Sequence, residues 1–141
     1  MQGPRLYILT TIQIVAVLLL LRFLLMSSAP WNAGRYIGTA LVLLGIGGIV
    51  WARRELGNSF SVTAQARVLV TSGIYSKIRN PIYVFGCVAL AGLFLILHRS
   101  ALWILLVVVA IGQIIRARRE ARVLEAAFGD AYREYRRKTW F

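Results

Sequence analysis

Arg116 and Glu120 stand four residues apart, so on a helix they share one face a turn apart. Two readings of that spacing are open. The pair can be a plain surface ion pair, worth only about 0.3–0.5 kcal/mol. It can also divide its work between two ligands. An arginine fork grips the two oxygens of a carboxylate or phosphate. A glutamate accepts from an amine or a ribose hydroxyl. A second group of polar residues lies upstream, in Gly73-Ile74-Tyr75-Ser76-Lys77-Ile78-Arg79-Asn80-Pro81-Ile82-Tyr83. There Asn80 and the exposed amides of a helix start offer donors. Tyr75 and Tyr83 offer flat apolar faces with a polar tip.

The elements between the two groups decide whether they meet. Ile82–Leu97 and Ala101–Ile115 are apolar runs of similar length, joined at His98-Arg99-Ser100. A chain that leaves a membrane face and returns after two equal legs brings both groups to that face. Neighbouring helices pack about 8–10 Å apart, so Asn80 to Tyr83 belongs near Arg116, with room for a small ligand between them. Pro81 suits the first turn of a helix and cannot continue one from before it. Asn80 is a favoured N-cap type. The third helix is therefore expected to start at Pro81, with its positive dipole end at this face.

Composition sets the environment. The chain has 141 residues, 59% of them hydrophobic, with 17 Lys and Arg against five acids and a net charge of +12. That describes one membrane domain with basic margins rather than a soluble globule. The charge sits beside apolar runs without a nucleic-acid motif, so anionic lipid head groups are the expected contacts and no nucleic acid is. The single Cys87 lies in an apolar run and reads as a buried structural thiol. The single His98 sits at a hairpin tip, so no metal cluster is expected.

Four apolar segments predict an all-α integral membrane protein of four transmembrane helices, at about 6–26, 36–52, 81–97 and 101–128, in a single domain over 1–141. The third and fourth form a C-terminal helical hairpin, and an amphipathic cytoplasmic tail helix follows. Leu6–Met26 is long enough to span and reads as a retained helix, not a cleaved signal. Arg22 near its end can snorkel. The second segment carries Gly38, Gly45, Gly47 and Gly48, which permit close helix contact in lipid. The last two apolar runs are short: sixteen residues rise about 24 Å against about 30 Å of hydrocarbon.

Arginine and lysine crowd the 53–80 linker and the tail after Arg116, whereas the turns at 27–35 and 98–100 carry only Arg35 and Arg99. The positive-inside rule places linker, tail and both termini in the cytoplasm. Within the linker, Leu56 to Phe60 reads as a turn and Arg67 to Gly73 as a short extended segment. In the tail, Leu124, Phe128, Ala131 and Tyr135 follow 4-3-4 spacing and predict one apolar stripe, with Gly129 interrupting the helix.

These residues resemble a known family. Leu69-Val70-Thr71-Ser72-Gly73-Ile74-Tyr75 followed by Arg79-Asn80-Pro81-Ile82-Tyr83 is similar to the signature of isoprenylcysteine carboxyl methyltransferases and related phospholipid methyltransferases. Its usual form is Gly-Pro-Tyr, then Arg-His-Pro-x-Tyr. Glu120, Leu124, Phe128-Gly129, Tyr132 and Tyr135 resemble the family's Glu-Glu…Leu…Phe-Gly…Tyr…Tyr ending. The resemblance runs from about Arg53 to the end of the sequence. It implies an integral membrane enzyme of a bacterial or archaeal cell membrane that uses S-adenosylmethionine. By position, Arg67, Val68, Leu69, Val70, Tyr75, Asn80, Pro81, Ile82 and Tyr83 would line the cofactor site, Glu120 would contact the cofactor, and Arg116 would hold an acceptor carboxylate as the catalytic residue.

Two positions depart from the pattern. Asn80 replaces the usual His and cannot titrate near neutral pH. Ala121 replaces the second acid. A carboxylate acceptor is already ionised and needs no base, so the resemblance implies methyl transfer to a lipophilic or lipidated acceptor of isoprenylcysteine type. A lipid-amine N-methyltransferase of phosphatidylethanolamine type, or a non-catalytic scaffold that keeps the fold, are the alternatives.

Overall fold

A computed structural model describes residues 30–57, 69–98 and 100–141, together with Leu19, Arg22 and Met26. All of the regular structure among these residues is helical. The chain divides into two compact units, residues 1–31 and 32–141. In the first, Leu19, Arg22 and Met26 are helical and exposed. The rest of the helix expected at 6–26 lies outside the described residues, as do Asn58 to Phe60 of the expected turn.

The second unit opens with α1, Ala33–Leu56. It starts a turn earlier than the apolar run because Asn32 caps it: the Asn32 side chain accepts from the Arg35 N–H at 3.0 Å. It ends a turn later than expected, at Gly57 with φ 49°. Arg53 and Arg54 occupy its last turn, where the dipole favours cations. The helix α2 is Pro81–Leu97, ending at His98 in the left-handed conformation. A 28-residue helix, α3, runs from Ala101 to Phe128, well past its apolar half, and α4 is Asp130–Lys138. Gly129, at φ 52°, separates α3 from α4. Two of the helices, α1 and α3, are long and apolar enough to cross a membrane, and α2 is a shorter apolar helix of 17 residues.

One buried stripe runs along α1 through Arg35, Gly38, Val42, Gly45, Gly48 and Ala52. Steps of three and four residues keep it on one face. It meets α2 at backbone distance. A Cβ on Gly38 would lie 2.6 Å from the Gly92 carbonyl oxygen, and one on Gly45 would lie 2.6 Å from the Ala89 nitrogen. The Phe85 ring fills the space over Gly48. Gly47 is off this stripe and faces open space, so three of the four glycines in that segment serve the contact. At the far end of the pair, the Asn32 side-chain amide lies 3.3 Å from His98 Nε2.

The second and third helices are antiparallel. Near their turn, Phe94 and Trp103 meet edge to face with ring centroids 6.5 Å apart. Ala117 is the one buried residue of α3.

The tail corrects one expectation. Ala131 is exposed, and the buried side of α4 is Tyr132 and Tyr135. Gly129, at positive φ, resets the helical phase, so a stripe counted straight through from Leu124 misses at Ala131 although its last member, Tyr135, is buried. Arg133 braces the bend, reaching Glu125 and Asp130, each at 3.0 Å.

Candidate active site

The short 3₁₀ turn Gly73–Ser76 begins at the glycine where the segment expected to be extended, 67–73, ends. Gly73 has φ 55°, and the Glu55 carboxylate lies where its Cβ would be. Only glycine meets both demands without strain. The turn buries Ile74 and Tyr75 against Ala52 of α1, with Val70, Leu56, Ile82 and Phe85 packed around them. Four of the residues expected at a cofactor wall are thus gathered here: Val70, Tyr75 and Ile82 in one apolar cluster, and Pro81 fully buried beside it at the start of α2. Leu69 is half-buried. Arg67 and Val68 lie outside the described residues.

Asn80 occupies the N-cap position of α2, but its side chain makes no capping hydrogen bond. Its backbone carbonyl accepts instead, from Tyr83 N–H at 3.1 Å and Val84 N–H at 3.2 Å. One turn on, the Tyr83 hydroxyl donates to Glu120 Oε1 at 2.5 Å. Arg116 Nε lies 3.5 Å from the same oxygen, and its guanidinium carbon sits 5.8 Å from the Tyr83 ring centroid. The helix spacing and the hairpin therefore bring Tyr83, Arg116 and Glu120 into one cluster. Both open readings of the Arg116–Glu120 pair keep a place. The ion pair forms, and the Arg116 side chain is still 49% exposed, so its fork can also reach outward.

Residues that the sequence did not assign to the site complete the surroundings. Tyr135, on α4, donates from its hydroxyl to the Tyr75 carbonyl at 2.7 Å in a buried contact. Burial raises the Tyr132 phenol, and the charge of Arg79 opposes that push. Burial pushes the Tyr75 phenol well up, with Tyr135 and Glu120 adding to the push and the Arg53 charge opposing it. Burial likewise raises Tyr135 to about 12, reinforced by Tyr132 and opposed by Arg79. Both phenols are therefore neutral donors across the physiological range. Glu55 receives the Trp51 indole N–H at 3.2 Å. The Trp51–Glu55 bond is an i,i+4 pair within α1, whereas no local sequence signal marks Tyr135 for the Tyr75 carbonyl or Glu55 for its place against Gly73, because those partners come from different elements.

A family model described as phospholipid methyltransferase matches residues 33–131, more than two-thirds of the chain. The match spans α1, the 73–76 turn, α2 and α3. No curated protein and no solved structure matches the chain.

Proposed function

Because the chain belongs to the phospholipid methyltransferase family, we propose that it transfers a methyl group from S-adenosylmethionine to a lipophilic acceptor held in the membrane. The observation that carries this reading is the joining of Tyr83, Glu120 and Arg116 at the start of α2, within hydrogen-bond and cation–π distances. The donor set suits the cofactor. Asn80 brings a side-chain amide that is not used for capping, Glu120 presents a carboxylate, and Val70, Tyr75 and Ile82 supply apolar backing. Asn80, Tyr83 and Glu120 would make the polar contacts, with Leu69, Val70, Tyr75, Pro81 and Ile82 shaping the wall and Arg67 and Val68 extending it.

When bound, S-adenosylmethionine supplies an electrophilic methyl on a sulfonium. The chain's task is to place an acceptor in line, at about 3–3.5 Å. Arg116 would orient an acceptor carboxylate of isoprenylcysteine type through its half-exposed fork. Charge is lost in such a transfer, so the apolar surroundings help by excluding water. Too tight a hold on the carboxylate would stabilise ground and transition states alike and gain nothing.

A lipid amine is the second reading, favoured by the family's description and by the Tyr83–Glu120 bond. An ammonium must lose a proton before it can attack, and Glu120 is a carboxylate placed to take it. In either case the proposed setting is four membrane helices with the 53–80 linker, the tail helix and both termini in the cytoplasm.

Titrating S-adenosylmethionine into folded, detergent-solubilised protein by calorimetry tests the reading. No heat at millimolar ligand would sink it. Labelled phosphatidylethanolamine and a prenylcysteine analogue, assayed side by side, separate the two acceptors. Cysteine labelling from each side of sealed vesicles tests the topology.

A further inference from the structure

The Gly73–Asn80 segment carries little regular structure of its own. Its 3₁₀ turn is four residues long and is closed locally, by Tyr75 N–H to Ser72 O at 3.0 Å, Lys77 N–H to Ile74 O at 3.2 Å and the Ser76 hydroxyl to Gly73 O at 2.7 Å. Turns of that size do not hold a shape unaided. Four further bonds reach it from about sixty positions downstream. The Tyr135 hydroxyl donates to Tyr75 O at 2.7 Å. Trp140 N–H donates to Lys77 O at 3.0 Å, Arg79 N–H donates to Trp140 O at 3.1 Å, and Asn80 N–H donates to Phe141 O at 3.0 Å. Ile78 and Trp140 thereby form a parallel bridge.

The means of delivery are also visible. Gly129 turns the chain so that α4 carries Tyr132 and Tyr135 inward. Thr139 leaves the helix in extended conformation, with its hydroxyl bonded to Tyr135 O at 2.9 Å. Residues 139–141 then run beside 77–80.

We infer that Tyr135, acting with residues 139–141, is a positioning residue that clamps the Tyr75–Asn80 wall in its cofactor-binding shape. The inference rests on the reading that this wall meets S-adenosylmethionine. Tyr135 acts through the Tyr75 carbonyl and the peptide run that ends at Asn80. Removing the hydroxyl leaves a buried carbonyl without its donor and loosens the segment that presents Asn80 and Tyr83. The acceptor-facing Arg116, carried by α3, is untouched.

The test is Tyr135→Phe in the full chain, with S-adenosylmethionine affinity measured by calorimetry and the KM of each substrate by initial rates. The expected result is a cofactor Kd and KM about two- to tenfold weaker, the size of one hydrogen bond, with acceptor KM unchanged. Trp140→Pro removes the N–H that donates to Lys77 at an exposed position, and serves if Tyr135→Phe fails to fold. It should shift the same parameter the same way. Equal cofactor affinity in variant and wild type overturns the clamp alone, as does a matching rise in both KM values, which marks general loosening. A folded wild type that binds no S-adenosylmethionine overturns the functional reading, and the clamp with it.

Discussion

Along α1 and α2 the two backbones touch, with Gly38 against Gly92 and Gly45 against Ala89. Along α3 the picture reverses. Ile104, Val107, Val108 and Ile111 are all more than half exposed, and only Ala117 is buried. One region is fixed by the absence of side chains and the other is tethered by a few polar ones. Small-residue packing gives rigidity because neither helix can slide without a collision. Polar tethers at Tyr83, Arg116 and Glu120 fix one point of α3 and leave its length open to lipid. Of the proposed cofactor contacts, Pro81, Ile82 and Tyr83 sit on α2 of the rigid pair, while Glu120 and the proposed acceptor-facing Arg116 sit on the tethered helix.

The contrast is broken most directly at the rigid interface. Gly45→Val puts atoms into the Ala89 and Phe85 backbones and should cost about 3 kcal/mol, read as a large fall in the thermal midpoint in detergent. Next comes chemistry on the tethered helix. Arg116→Ala should lower methyl transfer about a hundredfold through lost orientation, with cofactor affinity largely kept. Loss of that affinity would place Arg116 on the cofactor instead. Tyr83→Phe, which unties α3 from α2, should cost about 1.5 kcal/mol, as expected for a hydrogen bond to a charged group, and should raise hydrogen exchange in both helices. Gly47→Ala sharpens the comparison from the other side. Facing open space, it should change stability by no more than about 1 kcal/mol, and favourably.

The smallest effect at neutral pH is titration of the tyrosine clamp. The folded pKa of Tyr135, about 12, lies above its unfolded value of about 10. The stability this contributes is fully present below pH 10 and is lost as pH rises through the folded value. Unfolding free energy should therefore show no pH dependence from this group between pH 6 and 9. A fall beginning near pH 10, matched by phenolate absorbance, would follow, and Tyr135→Phe should remove that part of it.

Features set by neighbouring residues are legible in the sequence. Asn80-Pro81 marks the start of α2, Gly129 marks the break, and four-residue spacing places Arg116 beside Glu120. The meeting of Tyr83 with Glu120 is legible at one remove, since equal apolar legs force it. What escapes depends on side chains acting at a distance or on phase. Counting apolar residues truncates α1, because its true start is set by the polar Asn32. The stripe through Ala131 assumes one continuous helix, and a glycine at positive φ cancels that assumption. Asn80 has the right type for a cap, yet its side chain is not used for one. The three residues at 139–141 have no periodicity to read, so their pairing with 77–80 is invisible until the chain is folded.

That parallel bridge also sets an order of events. Ile78 and Trp140 enclose about sixty residues, so the contact carries a loop-closure cost that local helix contacts do not. During synthesis α1 and α2 can pair while Trp140 is still unmade. The wall bearing Tyr75 and Asn80 takes its final form only after residue 141 has been added. A nascent chain would therefore have its α1–α2 pair well before the proposed methyl-donor site could take shape.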